Sequence, residues 1–178
     1  MQAIEFWKAV IVDRSNFLES LIALLTSRNI RYSVIGGQGV NAYCEPLVSL
    51  DLDLVVSAGD TERLESLLKE QFRVDHFPHS LNVSQPGSDL RVQIQTDPRY
   101  FAFTETASVR SVLGLMLPVA RLEDILQGKI WAVTDTTRRP TKRQKDLLDI
   151  ARMLEAYPAL RTQVPADILE RVTAGGEV

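Results

Sequence analysis

The stretch YSVIGGQGVNAYCEPLVSLDLDLVV, residues 32–56, decides how this chain is read. A short β-branched and aromatic run, RYSVI (31–35), stops at Gly36 and Gly37. QGVNAYCE follows without strand alternation and ends before Pro46, which reads as strand, glycine turn and short helix. From residue 49 to 57 the alternation is clean, with Leu50, Leu52 and Leu54 on one face and Ser49, Asp51 and Asp53 on the other. Residues two apart on a strand project to the same face about 7 Å from one another, so both aspartates converge on one object in front of the sheet. Left alone, the two carboxylates repel. A divalent cation between them offsets that repulsion, and magnesium typically takes one or two carboxylates and fills its shell with water and substrate phosphates. The plain alternative is a solvated strand face, although aspartate is depleted in strands. The double glycine lets backbone approach a ligand closely and aims helical N–H groups at phosphate oxygens. The two features can form the two sides of one phosphate and metal pocket.

Working outward, residues 4–28 carry apolar residues at spacings of three and four, an amphipathic helix with a candidate break near Asp13. DTERLESLLKE (60–70) reads as a helix capped by Asp60 or Thr61. FRVDHF and LNVSQ are weak strands around Pro78. DLRVQIQTD (89–97) is a stronger one, with Leu90, Val92 and Ile94 on its core face and Asp89, Arg91, Gln93, Gln95 and Asp97 on the other. VRSVLGLMLPVA (109–120) adds one or two strands, and residues 121–134 and 145–157 are helical. No linker, repeat or low-complexity tract divides the chain. It reads as one domain over 1–178, with a sheet-containing core (1–120) and a helical C-terminal part (121–178).

With 178 residues, 45% hydrophobic and 24% charged, the chain has enough apolar content for one core. A net charge of -3 gives no overall attraction to nucleic acid, so contact with a polyanion needs a local patch. The single cysteine, Cys44, excludes an internal disulfide and a thiolate zinc cluster. The N-terminal pattern lacks a charged-then-apolar leader and no span reaches membrane length, so a soluble cytoplasmic protein is expected, with no membrane partner.

The stretch IGGQGVNAYCEPLVSLDLDLVV (35–56) resembles the signature of the DNA polymerase beta-like nucleotidyltransferase superfamily. EDILQGKIWAV (123–133) and RRPTKRQKDLLDIARML (138–154) are similar to the C-terminal helices of its AbiEii-like group, many of whose members are toxins of bacterial toxin and antitoxin pairs. The resemblance implies an α/β (α+β) nucleotidyltransferase fold, a small mixed sheet flanked by helices with a helical C-terminal region. It also implies transfer of a nucleoside monophosphate from a triphosphate to an RNA or protein acceptor, and a possible toxin or antitoxin partner. Residue by residue, Gly36 and Gly37 would cradle the triphosphate, while Asp51 and Asp53 would be catalytic and hold Mg2+ or Mn2+. Lys129 and Lys145 match the phosphate-side and helix-stabilising lysines, with Asp146 and Asp149 their acidic partners.

Departures from that pattern bear on activity. The family completes its metal site with a third carboxylate between apolar residues on a neighbouring strand; here the context is VQIQ and the matching residue is Gln93, whose amide can donate to phosphate but is a weaker metal ligand and a poor base. Asp89 and Asp97 each lie about 13 Å from it along an extended strand. Where relatives carry an arginine and a threonine before the first aspartate, this chain has Leu47 and Ser49. A nucleotide-binding or protein-binding module with a degenerate metal site is therefore the second expectation, and a regulatory partner of a toxin the third. RRPTKRQK (138–145) can bind a triphosphate or RNA backbone or be a solvated loop, with Lys145 and Asp149 a surface pair. His76 and His79 lack partners at ligand spacing, and Trp7 and Trp131 read as core or subunit contacts.

Overall fold

A computed structural model describes residues 12–175. Seven strands form one mixed sheet in the order β3-β4-β5-β2-β1-β7-β6. They are β1 (Tyr32–Ile35), β2 (Asp51–Val56), β3 (Arg73–Phe77), β4 (Ser80–Ser84), β5 (Arg91–Gln95), β6 (Ser108–Val112) and β7 (Leu115–Val119). The helices are α1 (Phe17–Ser27), α2 (Gly36–Asn41), α3 (Thr61–Lys69), α4 (Leu122–Thr134), α5 (Pro140–Ala156) and α6 (Ala166–Ala174). Adjacent β2 and β5 run parallel, as do β1 and β7, and the other pairs are antiparallel. The stretch 109–120 is thus two strands, folded back at Leu113 and Gly114, both at positive φ.

Alternation along β2 sorts its residues as read from sequence: Leu52 and Leu54 are fully buried, while Asp51 and Asp53 keep partial exposure. The leucines join one core with Phe17, Leu21 and Leu25 of α1 and Leu64 and Leu68 of α3. The aspartate side meets α2, α4 and α5. Among the described residues no helix is long and apolar enough to cross a membrane.

Several expectations change in detail. Residues 1–11, including Trp7, lie outside the described residues; α1 begins at Phe17, where Asp13 accepts backbone N–H groups of Ser15 and Phe17, so the break at Asp13 is a capping turn. Asp60 sits at the N-cap of α3 without capping it through its side chain; its carboxylate takes the Ser57 hydroxyl, the Arg63 guanidinium and the Arg31 N–H. Only Arg138 and Arg139 of the basic run lie in a loop: Pro140 opens α5, because a residue with no N–H and fixed φ suits the first helical turn. Lys142, Arg143 and Lys145 therefore stand on a helix. Trp131 is half-buried against the core, stacked on Phe103 with ring centroids 5.9 Å apart.

Candidate active site

Parallel pairing sets Asp51 opposite Arg91 and Asp53 opposite Gln93, so all four side chains share one sheet face. On the other flank of β2, Ile35 pairs with Asp53, and the chain turns into α2 at Gly36 with φ +65°. A Cβ built at Gly36 would overlap the Asp53 carboxylate, with Cβ and Cγ of Asp53 both at 2.8 Å. Glycine is required here twice, for the left-handed backbone and for the space that Asp53 fills. Gly37 differs, since a Cβ there meets nothing nearer than Asp149 Oδ2 at 4.0 Å. The Ser49 hydroxyl accepts the Asp51 N–H at 3.2 Å and the Ser49 carbonyl accepts from the Gln38 amide, which sets the entry to β2.

The two aspartates differ in company. Asp51 is gripped by Arg91 Nε at 2.8 Å and approached by Lys142 Nζ at 3.5 Å. The Asp53 carboxylate makes no hydrogen bond or ion pair with any described residue. Burial pushes its carboxyl above the usual range; Lys129 pulls it back, the Asp51 charge adds to the rise, Arg138 and Lys142 oppose it, and burial wins. A carboxylate held this way, two residues from a second on the same face, is a site that gains from a cation. The donors are carboxylate oxygens, which suit magnesium or manganese, so the residues fit that metal.

Beneath the pair, Lys129 of α4 is almost wholly buried between Asp146 (3.0 Å) and Asp149 (2.7 Å) of α5. Burial alone would lower its pKa, yet Asp149 and Asp146 hold the ammonium above its ordinary value. Arg138 bonds Asp146 and Arg152 bonds Asp149, at 2.7 and 2.8 Å. Lys129 thus ties α4 to α5 under the cleft. The expected surface pair of Lys145 with Asp149 does not form, because Asp149 faces inward to Lys129 while Lys145 is exposed on the cleft side.

Two lobes meet at Asp53, Gln93, Lys129, Arg138 and Asp146. The larger, about 250 Å³, is lined by Gly37, Ser49, Asp51, Arg91, Lys142 and Lys145 and is rich in cations. The smaller, about 100 Å³, runs between Gly36 and the Asp124–Gly128–Ala132 face of α4, with Tyr100 and Phe103 as walls. Asp89 and Asp97 line neither lobe; Asp97 clamps Arg99 at 2.7 Å. Arg91 is a cleft residue to which the sequence gave no binding role, and Arg138 and Lys142, read only as members of the basic run, line the cleft individually. For Arg91 the signal was present in its two-residue spacing from Gln93, and for Lys142 in the basic run.

Solved structures share this architecture. The antibiotic-resistance factor ANT(2'')-Ia in solution is 14% identical, over 89% of this chain and 95% of that one, with a TM-score of 0.54. The lincosamide antibiotic adenylyltransferase LnuA, lincomycin-bound, is 14% identical over 80% and 99%, with a TM-score of 0.52. This chain has a nucleotidyltransferase fold. An antigenic nucleotidyltransferase-like protein from Paracoccidioides brasiliensis is 21% identical over 84% and 75%, with a TM-score of 0.50. No family model matches the sequence, and neither does any curated protein.

Proposed function

We propose that this protein is a magnesium-dependent nucleotidyltransferase that moves a nucleoside monophosphate from a triphosphate to a hydroxyl acceptor. The observation that carries this reading is Asp53, an unpaired carboxylate set against Gly36 and beside Asp51, at the junction of a cationic lobe and an aromatic-walled one. Arg91, Lys142 and Lys145 in the larger lobe suit the triphosphate, and Gly37 leaves its backbone open beside them. Asp51 and Asp53 would hold a magnesium or manganese ion, which would supply charge neutralisation at the reacting phosphate. The acceptor oxygen bonds to the α-phosphorus, the bond from that phosphorus to the bridging oxygen breaks, and pyrophosphate leaves with the electron pair. Gln93, level with Asp53, carries no charge to take the acceptor's proton, so the proton passes to water in the open cleft and transfer is slow.

RNA and protein are the first acceptors to test. Small hydroxylated molecules join them because ANT(2'')-Ia has been solved with adenylyl-2''-tobramycin. An AbiEii-like role with a toxin or antitoxin partner rests on residues 123–133 and 138–154, which form most of α4 and α5. Gln93 supports a second reading, a module that binds nucleotide without transferring it.

Calorimetry with the four ribonucleoside triphosphates tests the binding site. Magnesium-dependent binding should fall at least tenfold when Asp51→Asn and Asp53→Asn are combined, and equal affinity would remove the metal site. Transfer of labelled nucleotide to cellular RNA, to the protein itself and to aminoglycosides then separates enzyme from binding module.

A further inference from the structure

The charge inventory of the cleft points past a general metal site to the number of ions it uses. Among the described residues no three His, Cys, Asp or Glu side chains group closely enough to hold a metal. The remaining carboxylates near the junction are already engaged. Asp146 and Asp149 hold Lys129, Arg138 and Arg152, and Asp124 in the smaller lobe accepts from Arg121 at 3.0 Å and Thr106 at 3.1 Å. Asp53 stands at the junction with no side-chain partner among the described residues, and Asp51 lines the larger lobe beside it, paired only with the exposed Arg91 and with Lys142; the side chain level with Asp53 on β5 is the neutral Gln93. Two-ion catalysis stabilises the attacking and the leaving oxygen with separate ions about 4 Å apart. Here a second dication would share the same two carboxylates in a lobe already lined by Arg91, Lys142 and Lys145.

Arg91 lies at the other end of this balance. Its Nε is 2.8 Å from Asp51 Oδ1, yet the side chain is 67% exposed. Exposed ion pairs of this kind contribute little to stability, so the guanidinium can leave Asp51 for a phosphate at small cost. Its planar fork suits paired phosphate oxygens better than a lysine does. Lys142, 3.5 Å from the other Asp51 oxygen, is placed to move with it.

Resting on the nucleotidyltransferase reading, we propose that this cleft works with a single divalent ion, shared by Asp51, Asp53 and the triphosphate. The Arg91 guanidinium, with Lys142, takes the electrostatic place of a second ion. Arg91 is then a phosphate-binding and charge-compensating residue whose pairing with Asp51 is the nucleotide-free arrangement.

Manganese counting by electron paramagnetic resonance tests this, with Mn2+ and the α,β-methylene analogues of ATP, GTP, CTP and UTP in separate samples. Wild type should hold one Mn2+ per bound nucleotide with no Mn–Mn exchange coupling, and Gln93→Asp should admit a second, coupled ion. Arg91→Gln should keep one ion and weaken analogue binding about tenfold, with circular dichroism reporting that both variants are folded. Two coupled ions in wild type, one ion in folded Gln93→Asp, or unchanged affinity in Arg91→Gln would each overturn the proposal while leaving the nucleotide site standing. Absence of analogue binding to wild type would overturn this proposal and the nucleotidyltransferase reading together.

Discussion

Two sets of ion pairs lie within the same cleft and are built from the same residue types. In the lower set, Lys129 between Asp146 and Asp149, the side chains are 9% and 3% exposed; in the upper set, Arg91 on Asp51, they are 67% and 25% exposed. Distances in the two sets are nearly equal, at 2.7 to 3.0 Å below and 2.8 Å above. Burial is what separates them. Charges removed from water cannot lose a partner without leaving another stranded, so the lower set behaves as scaffold. Charges still in contact with water can exchange partners at little cost, so the upper set is suited to ligand exchange. Geometry alone does not reveal which ion pair is structure and which is site.

The largest effect expected from this contrast comes from Lys129→Met. It leaves Asp146 and Asp149 with less compensation inside the protein, and denaturant unfolding should show a loss of about 3–5 kcal/mol. A loss under about 1 kcal/mol, the range of surface pairs, would mean that water reaches the lower set and that the contrast fails.

Gly36→Ala comes next. A non-glycine residue at φ +65° costs about 1–2 kcal/mol, and pressing a methyl into Asp53 adds about 1–3 kcal/mol unless the carboxylate moves. Magnesium-dependent nucleotide binding should be lost in whatever protein stays folded. Gly37→Ala, with 4.0 Å of clearance, should keep its melting temperature. Equal stability and equal binding in the two variants would break the division between them.

The smallest effect is one of pH, and its sign differs between Asp53 and Asp60. For Asp60, burial pushes upward but bonds from Arg63, Ser57 and the Arg31 N–H win and hold it below its ordinary 3.8. Its stabilisation is full above 3.8 and is lost as pH falls through the lower folded value. Asp53 is shifted upward by burial, so its ionisation opposes folding, and that cost appears as pH rises from 3.8 through the folded value. In metal-free buffer at about pH 7, Asp53→Asn should therefore raise the melting temperature and Asp60→Asn lower it, both differences shrinking in acid. Melting curves across the acid limb check this. A fall with Asp53→Asn would show that Lys129 outweighs burial there.

Much of the fold was legible because it rests on local periodicity. The two-residue alternation of β2 and β5, the glycine turn after β1 and the helical spacing of α4 and most of α5 depend on neighbours in the chain. Where one residue can serve two structures, local reading fell short: the proline at 140 served as a helix start, and Asp60 used its carboxylate for Arg63 and Ser57 in place of a cap. The Lys145 and Asp149 spacing was correct for a surface pair, but it could not say that Asp149 faces inward.

By itself the sequence determined that Asp51 and Asp53 share a strand face, that glycines precede them, and that Gln93 shares its own strand face with Arg91 and Gln95. These are statements about spacing along one chain, which backbone geometry converts directly into direction. Tertiary structure decided the rest. The register of β2 against β5 brought Arg91 to Asp51 and Gln93 to Asp53 across about forty residues of chain, and the close approach of α2 reserved Gly36 for Asp53 while leaving Gly37 open. The packing of α4 on α5 buried Lys129, Asp146 and Asp149 together. Burial and charge compensation depend on everything that surrounds a side chain in space, and those surroundings are assembled from residues that are distant in the chain.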